Sequence, residues 1–571
     1  MSSTAMTGSL RTMVLGVLAG AAASAPLVLC LGHPLASVAF GLAIGIAYAA
    51  STRRTPQAYV DNLMAGSALG VPLWGLISVV AFPILSGQRL EWSGEEMRAH
   101  FPALVVWVLY GALLGLFTKA LSDLGERVFG PETLGIAPVP PQRKRIVILG
   151  GGFAGMKTAE CLEQKLHPNS SATITLVSQT NALLFTPMLA EVAGSTLEPS
   201  HISTPLRSSL RRTEFIRGRV TAIDLESREV VLASDSPTGQ LLLPYDHLVL
   251  ALGSVSNYLR MANIEKLAFN FKGLLDAIRI RNHVIEMFER ADREPDASQR
   301  ATLLSFVIAG GGFAGVELVG ALNDFARGIL ADYPNLDPNE LNIVLVHSQD
   351  RILPELSESL ARYAQKKMET RGVTFRLKAR LSDAQPGVVI VSDGEIRAQT
   401  LVWTAGTAPN PLLQSVPFER DKRGAVKVDC TLAVPGHPGV WALGDCAAVN
   451  DAKTGKSCPP TAQFAIREAA TVARNIAAQL DGRPLKHFHF DSLGALCVVG
   501  HQTACAEFRV PFTRSKSVRF SGLLAWLMWR GIYLSKLPGM ERKIRVLMDW
   551  MIELFFPRDI VQTIDLQQEK P

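Results

Sequence analysis

Four long apolar runs fill the first quarter of the chain: Thr12–Leu31, Pro34–Ala50, Leu63–Leu85 and Pro102–Leu121. Each approaches the roughly 20 residues that a helix needs to cross a bilayer. Gly and Ala recur within them, which suits close packing of membrane helices. A cleaved signal peptide accounts for one such run but not for four in succession. Arg11, Arg53, Arg54 and Lys119 fall at one set of ends, and the Glu-bearing segment Gln88–His100 at the other. The excess of positive charge on the inner side then places the rest of the chain in the cytoplasm. Residues 1–122 read as a four-helix transmembrane domain, and 123–144, with the run Gly135–Pro141, as a Pro-rich linker.

From Arg145 the pattern changes to short apolar runs that alternate with helical periodicity. Ile146, Val147, Ile148 and Leu149 are apolar without alternation, as in a parallel strand buried on both faces. Gly150-Gly151-Gly152-Phe153-Ala154-Gly155 follows, then a helical pattern. The same order recurs at Ser305–Val319, where Gly310, Gly312 and Gly315 fill the slots that Gly150, Gly152 and Gly155 fill in the first copy. A G-x-G-x-x-G loop between strand and helix seats a diphosphate. The first glycine makes the turn, the second lets backbone approach the phosphates, and the third lets helix pack on strand. Two copies imply two dinucleotides, and the economical pair is a flavin and a nicotinamide. The fold class is therefore α/β, with two Rossmann-like dinucleotide-binding domains, the nicotinamide domain inserted in the flavin domain.

The strand Ala172–Val177 ends at Ser178, where an acidic residue usually holds the adenosine ribose. A hydroxyl can still hydrogen-bond there. In the second copy the strand ends at Leu345-Val346 and the next residue is His347. Without an acid at that place a 2′-phosphate is not repelled, so the donor is NADH or NADPH.

Mean hydropathy is +0.20, high for a wholly soluble protein and in keeping with the apolar runs. The formal net charge is +6. That mild excess, without a dense basic stripe, fits an anionic membrane surface and argues against nucleic acid. Seven cysteines, with no C-x-x-C, exclude a zinc site or a thioredoxin-type pair as the default. No metal-ligand spacing is visible.

The segment Asn181–Arg211, with Gly218–Leu232, Leu243–Ser254, Leu401–Leu413, Val440–Val449 and Pro459–Ala469, resembles the type II NADH:quinone oxidoreductases. The resemblance runs from about Arg145 to Arg558 and leaves the N-terminal helices outside the family's usual pattern. It implies FAD in the first loop, held by Gly150, Gly152, Phe153, Ala154 and Gly155 with Ser178. It implies that Val220 touches the adenine, Ala251 and Gly253 lie over the flavin, and Gly444-Asp445 bonds the ribityl chain. Gly310, Gly312, Gly315 and His347 would hold the nicotinamide nucleotide, and Gly406 marks the return to the flavin domain. Glu317 would lie near both rings and serve electron or proton transfer, and Ala462 and Gln463 would lie beside the isoalloxazine. Where the family carries two glutamines, this chain has Arg467-Glu468.

The implied domains are 145–300 (FAD, first part), 301–405 (nicotinamide), 406–485 (FAD, second part) and 486–571 (membrane-associating). Phe520–Phe556 mixes Leu, Trp and Met with Arg530, Lys536, Arg542, Lys543 and Arg545, as interfacial helices do. A homodimer interface is the competing reading of that surface. The partners expected are a membrane quinone and the bilayer, in a bacterial plasma membrane with the catalytic part on the cytoplasmic side. Two rivals stand beside this reading. A sulfide:quinone oxidoreductase would use cysteines among Cys430, Cys446 and Cys458, and a membrane redox sensor or assembly protein would hold FAD without turnover.

Overall fold

The computed structural model describes residues 8–31, 34–52, 59–81, 101–129, 143–167, 172–233, 240–509 and 517–562, in two compact units, Met1–Pro138 and Val139–Pro571.

Among the described residues the first unit is helical: α1 (Gly8–Ala23), α2 (Ala25–Leu31), α3 (Pro34–Thr52), α4 (Tyr59–Leu73) and α5 (Phe101–Phe129). The first apolar run is two helices rather than one span. Pro26 lacks the N–H that would continue the ladder, and Ser24 Oγ donates to Ala21 O at 2.7 Å at the break. Pro72 lies near the end of α4, which passes into wider helical turns over Trp74–Ala81. Among the described residues two helical stretches, Tyr59–Ser78 and Pro102–Leu124, are long and apolar enough to cross a membrane by length and composition, whereas Val14–Ala23 and Ser37–Ala49 are shorter. The expected four-helix transmembrane domain is not borne out at that length: two of its four runs pass this test among the described residues. Arg53, Arg54 and Gln88–His100 lie outside the described residues.

Close backbone approach holds this unit together. A Cβ on Gly20 would stand 2.1 Å from Gly41 O, and one on Gly66 1.9 Å from Gly111 O. Trp107 Nε1 donates to Ser78 Oγ at 2.8 Å, so the buried indole is satisfied.

The second unit is built on two parallel sheets. In the first, β1 (Lys144–Leu149) lies between β2 (Ala172–Ser178) and β4 (His247–Leu250); β3 (Thr213–Arg217) extends it on one side and β10 (Val440–Ala442) on the other. In the second, β6 (Ser305–Ala309) lies between β7 (Asn342–His347) and β9 (Thr400–Trp403), with β5 (Phe269–Asn270) and β8 (Val373–Leu377) at the edges. Both cores are the apolar runs read from the sequence: Ile146, Ile148 and Leu149 are wholly buried, as are Val307 and Ile308. Each loop leads into a helix, α6 (Phe153–Lys165) and α8 (Phe313–Ile329). The chain crosses between the domains twice, and the crossings pair as antiparallel strands, Ser254–Ser256 against Thr407–Pro409.

The helix α9 (Ala462–Leu480) packs beside α6, and a short helix α7 (Leu189–Ala193) packs on α8. After α9 comes an antiparallel sheet, β11 (Gly494–Val498), β12 (Ala504–Arg509) and β13 (Ser517–Gly522), then α10 (Leu523–Lys536) and α11 (Met540–Glu553). The C-terminal region is therefore not helices alone. Its short strands, rich in Ala and Cys, carry little β-branched signal.

Candidate active site

The two loops repeat one geometry. Gly150 N donates to Val177 O at 2.8 Å, and Gly310 N to Val346 O at 2.9 Å. Both glycines turn with positive φ, +111° and +122°, a conformation costly for any other residue. A Cβ on Gly155 would stand 1.8 Å from Gly150 O, and one on Gly315 1.9 Å from Gly310 O. Helix and strand can meet at these points only without side chains. A Cβ on Gly152 would meet nothing within 4 Å. Neither Gly152 nor Gly312 supplies a side-chain cap, so the first N–H groups of α6 and α8 remain for an anion. An open cradle before an uncapped helix fits a dinucleotide diphosphate in each domain.

Around the first loop the residues named from the sequence converge. Phe153 starts α6 edge-on to Phe185, with centroids 5.7 Å apart. A Cβ on Gly444 would stand 3.3 Å from Ala154 Cβ, so the Gly444-Asp445 turn sits against the start of α6. Ala251 N donates to Leu149 O at 2.9 Å, and Gly253 turns with φ +65° into open space. Ser178 is buried against Gly151, and Gly218 N donates to Ser178 O at 2.9 Å; Val220, two residues on, begins a separate antiparallel sheet. Gly406 O accepts from Asn257 N at 3.0 Å and ties the two crossings together.

Two residues at this site escaped the sequence, and a third was read there only as a departure from the family's paired glutamines. Ser254 Oγ donates to Asp445 Oδ2 at 2.6 Å and accepts from Lys272 Nζ at 2.8 Å, so a cation stands behind the Asp445 carboxylate. Ser254 is adjacent to Gly253, a signal that could have been followed; Lys272 carries none. The third is Glu468. Arg467 is exposed and lies over the Phe490 ring at 5.2 Å, whereas Glu468 turns inward and its Oε2 accepts from Gly444 N at 2.7 Å. Burial pushes the Glu468 carboxyl up to about 7.

Gln463 is fully engaged. Its Oε1 accepts from Leu493 N at 3.1 Å and Ser492 Oγ at 3.2 Å, and its Nε2 donates to Gly494 O at 3.4 Å. It pins the approach to β11 beside Ala462 at the start of α9. Glu317 is no solvated first-turn acid. It faces β11, accepts from Val498 N at 3.4 Å, and burial pushes it up to about 8.

His347 ends β7 under Gly311, whose N–H donates to its Nδ1 at 3.0 Å. The proton therefore sits on Nε2, which is buried with no partner within the protein. Burial lowers its pKa, so the ring is neutral. Arg351 is committed to Leu356 O and Pro354 O, both at 3.0 Å, and is not a free phosphate ligand.

Residues 144–469 match a family model described as pyridine nucleotide-disulphide oxidoreductase, and 492–559 match one described as NDH2 C-terminal domain. The type II NADH:quinone oxidoreductase Ndh of Mycobacterium tuberculosis is 32% identical over 445 residues, 75% of this chain and 92% of that protein. The chain belongs to the type II NADH:quinone oxidoreductase family. The Staphylococcus aureus enzyme of that name is 30% identical over 66% of this chain and 92% of its own. NDH2 from Plasmodium falciparum, solved in complex with NADH, superposes with a TM-score of 0.66 at 18% identity, covering 74% of this chain and all of that one. A sulfide:quinone oxidoreductase from Aquifex aeolicus shares the fold at 17% identity and TM-score 0.56, with 72% and 95% covered.

One expectation within the family's C-terminal region is corrected. Arg530 does not face lipid headgroups. Its guanidinium is clamped between the Trp526 and Trp550 rings, at 3.8 and 4.7 Å, and pairs with Glu553 at 2.6 Å. An arginine this enclosed must find carboxylates.

Proposed function

We infer that this chain is a membrane-associated flavoprotein that takes hydride from NADH and passes two electrons to a quinone. The observation that carries the reading is the repeated uncapped glycine loop, one per sheet, within a chain of this family. FAD, once bound, supplies the two-electron relay between nucleotide and quinone. The protein's own part is positioning: the Gly150–Gly155 loop and Asp445 hold one dinucleotide, Gly310–Gly315 the other, and the packed interior excludes water. Residues 145–300 and 406–485 form the flavin part and 301–405 the nicotinamide part. An anaerobic titration of detergent-purified protein tests this. NADH should bleach the bound flavin and a short-chain quinone restore it; a flavin that NADH leaves oxidised overturns the reading.

His347 sets nucleotide choice. A neutral Nε2–H can donate to a ribose hydroxyl or to a 2′-phosphate and repels neither. NADPH is therefore expected to bleach the flavin within about tenfold of the NADH rate. His347→Glu should widen that ratio by at least tenfold, about 1.4 kcal/mol, because its carboxylate repels the phosphate. The ratio of the two bleaching rates in wild type and variant checks it.

Sulfur chemistry is the rival that the described cysteines disfavour. Cys446 is wholly buried, with its thiol on Leu250 O and Leu443 O, and burial pushes both it and Cys458 up to about 11. A reactive thiol needs the opposite shift. The triple variant Cys430→Ala, Cys446→Ala, Cys458→Ala should retain NADH:quinone turnover within about threefold, the loss reflecting two small core deletions.

The N-terminal unit is the membrane-inserted part. Tyr59–Ser78 and Pro102–Leu124 support this, as do the exposed Leu18, Phe40, Val60, Leu76 and Leu109. The exposed Leu523, Leu527, Met551, Phe555 and Phe556, near Arg542, Lys543 and Arg545, support an interfacial role for α10 and α11.

A further inference from the structure

The first crossing between the domains carries polar groups that reach into both. Ser254 and Ser256 lie two residues apart on its extended strand, so their side chains leave the same face. Each meets the edge of the nicotinamide sheet. Ser256 Oγ donates to Asn270 Oδ1, at the end of β5, and Ser254 Oγ accepts from Lys272 Nζ at 2.8 Å. β5 belongs to that sheet through β9, with Phe269 against Val402 and Asn270 against Trp403. On its other side Ser254 Oγ donates to Asp445 Oδ2 at 2.6 Å, in the turn that follows β10 of the flavin sheet. Lys272, Ser254 and Asp445 therefore bridge the two domains.

The backbone around Lys272 is fixed for this reach. Asp276, in the first turn of the helix Leu274–Arg293, uses Oδ2 to accept from Lys272 N at 3.0 Å, Gly273 N at 2.7 Å and Asn270 Nδ2 at 2.9 Å. Three N–H donors satisfy that carboxylate without the Lys272 ammonium. The ammonium turns instead to Asp445, with Nζ 3.8 Å from Oδ2. Both contacts to Asp445 use Oδ2, which leaves Oδ1 to accept from a flavin hydroxyl. From the opposite side Glu468 grips the same turn through Gly444 N at 2.7 Å. The Gly444-Asp445 turn is thus held by one group from the flavin domain and by one cation from the nicotinamide sheet.

Hydride transfer to a bound flavin adds negative charge beside Asp445, and a carboxylate opposes that gain unless a cation offsets it. We propose that Lys272 is a positioning residue for hydride transfer. Reaching from the nicotinamide sheet through Ser254, it fixes the Asp445 carboxylate against the flavin and offsets its charge as the flavin is reduced. A tie that merely joined the domains would need no cation, since Ser256 and Asn270 make the neighbouring rung with neutral groups. The inference rests on the flavin reading of the first glycine loop given above.

Full-length protein carrying Lys272→Met tests it, because the side chain keeps its length and loses its charge. Flavin content and the dissociation constant for NADH should stay within about twofold of wild type. The equilibrium of the bound flavin with a reference redox dye should shift about fivefold toward oxidised flavin, about 20 mV for a two-electron couple. The limiting rate of bleaching by NADH should fall at least as far. Lys272→Arg should recover most of both losses. Ser254→Ala, which breaks the bridge but keeps the cation, should shift the dye equilibrium in the same direction by at least twofold, and carries the test if Lys272→Met sheds its flavin. An unshifted equilibrium, with or without a lower Tm, would make the bridge a domain tie only. A shift that Lys272→Arg shares in full would overturn the charge argument. The dye equilibrium needs no NADH, so a wild-type flavin that the dye system reduces and NADH does not would instead overturn the functional reading itself.

Discussion

Gly155→Ala is expected to purify as folded protein without flavin. The added Cβ would meet Gly150 O at 1.8 Å, a backbone atom held by the Gly150 N–H bond to Val177 O. Gly150, at φ +111°, has little room to yield. Helix α6 must therefore move off β1 and carry its first N–H groups away from the diphosphate. Overpacking of this kind costs about 1–3 kcal/mol, and withdrawal of charge-assisted bonds from an anion about as much again. The combined effect on FAD affinity should exceed about 100-fold, the equivalent of about 2.7 kcal/mol. Flavin released by acid per mole of protein measures it.

Gly315→Ala, with its Cβ 1.9 Å from Gly310 O, is the matched control. It should keep its flavin yet resist bleaching by NADH. The reverse assignment of the loops would exchange the two phenotypes, and full flavin in Gly155→Ala would overturn the cradle.

Glu468→Gln is expected to stabilise the protein at pH 8 and leave it nearly unchanged at pH 5. The folded carboxyl, at about 7, lies above its ordinary value of 4.5, so between these values the native state binds more protons than the unfolded chain. Stability then falls as pH rises through that window and is restored when the group no longer ionises. The shift sets an upper bound on the order of 3 kcal/mol at pH 8. The amide can still accept from Gly444 N. Glu468→Ala removes that acceptor, leaves a buried N–H unpaired and should destabilise at every pH by about 1–3 kcal/mol. Because Gly444 precedes Asp445, the alanine variant should also bind flavin more weakly. Thermal release of flavin fluorescence from pH 5 to 8 reads both effects. Parallel curves for wild type and Glu468→Gln would show that Glu468 does not titrate in this range.

The sequence by itself determined the two loops, the strands that precede them and the helices that follow. Their signals are local: unbroken apolar runs and glycines at fixed offsets. It also determined the family, through motifs spread from Asn181 to Ala469. Tertiary structure decided what depended on direction rather than position. Arg467 and Glu468 are neighbours in the chain, yet helical geometry turns one to solvent and the other beneath Gly444. Ser254, Lys272 and Asp445 meet although they lie up to 191 residues apart. Arg530 reads as a headgroup contact on composition and becomes a buried ion-pair centre only because α11 supplies Glu553. The break at Pro26 and the shortness of the first helices likewise escaped hydropathy, which records how apolar a run is but not where its hydrogen-bond ladder stops.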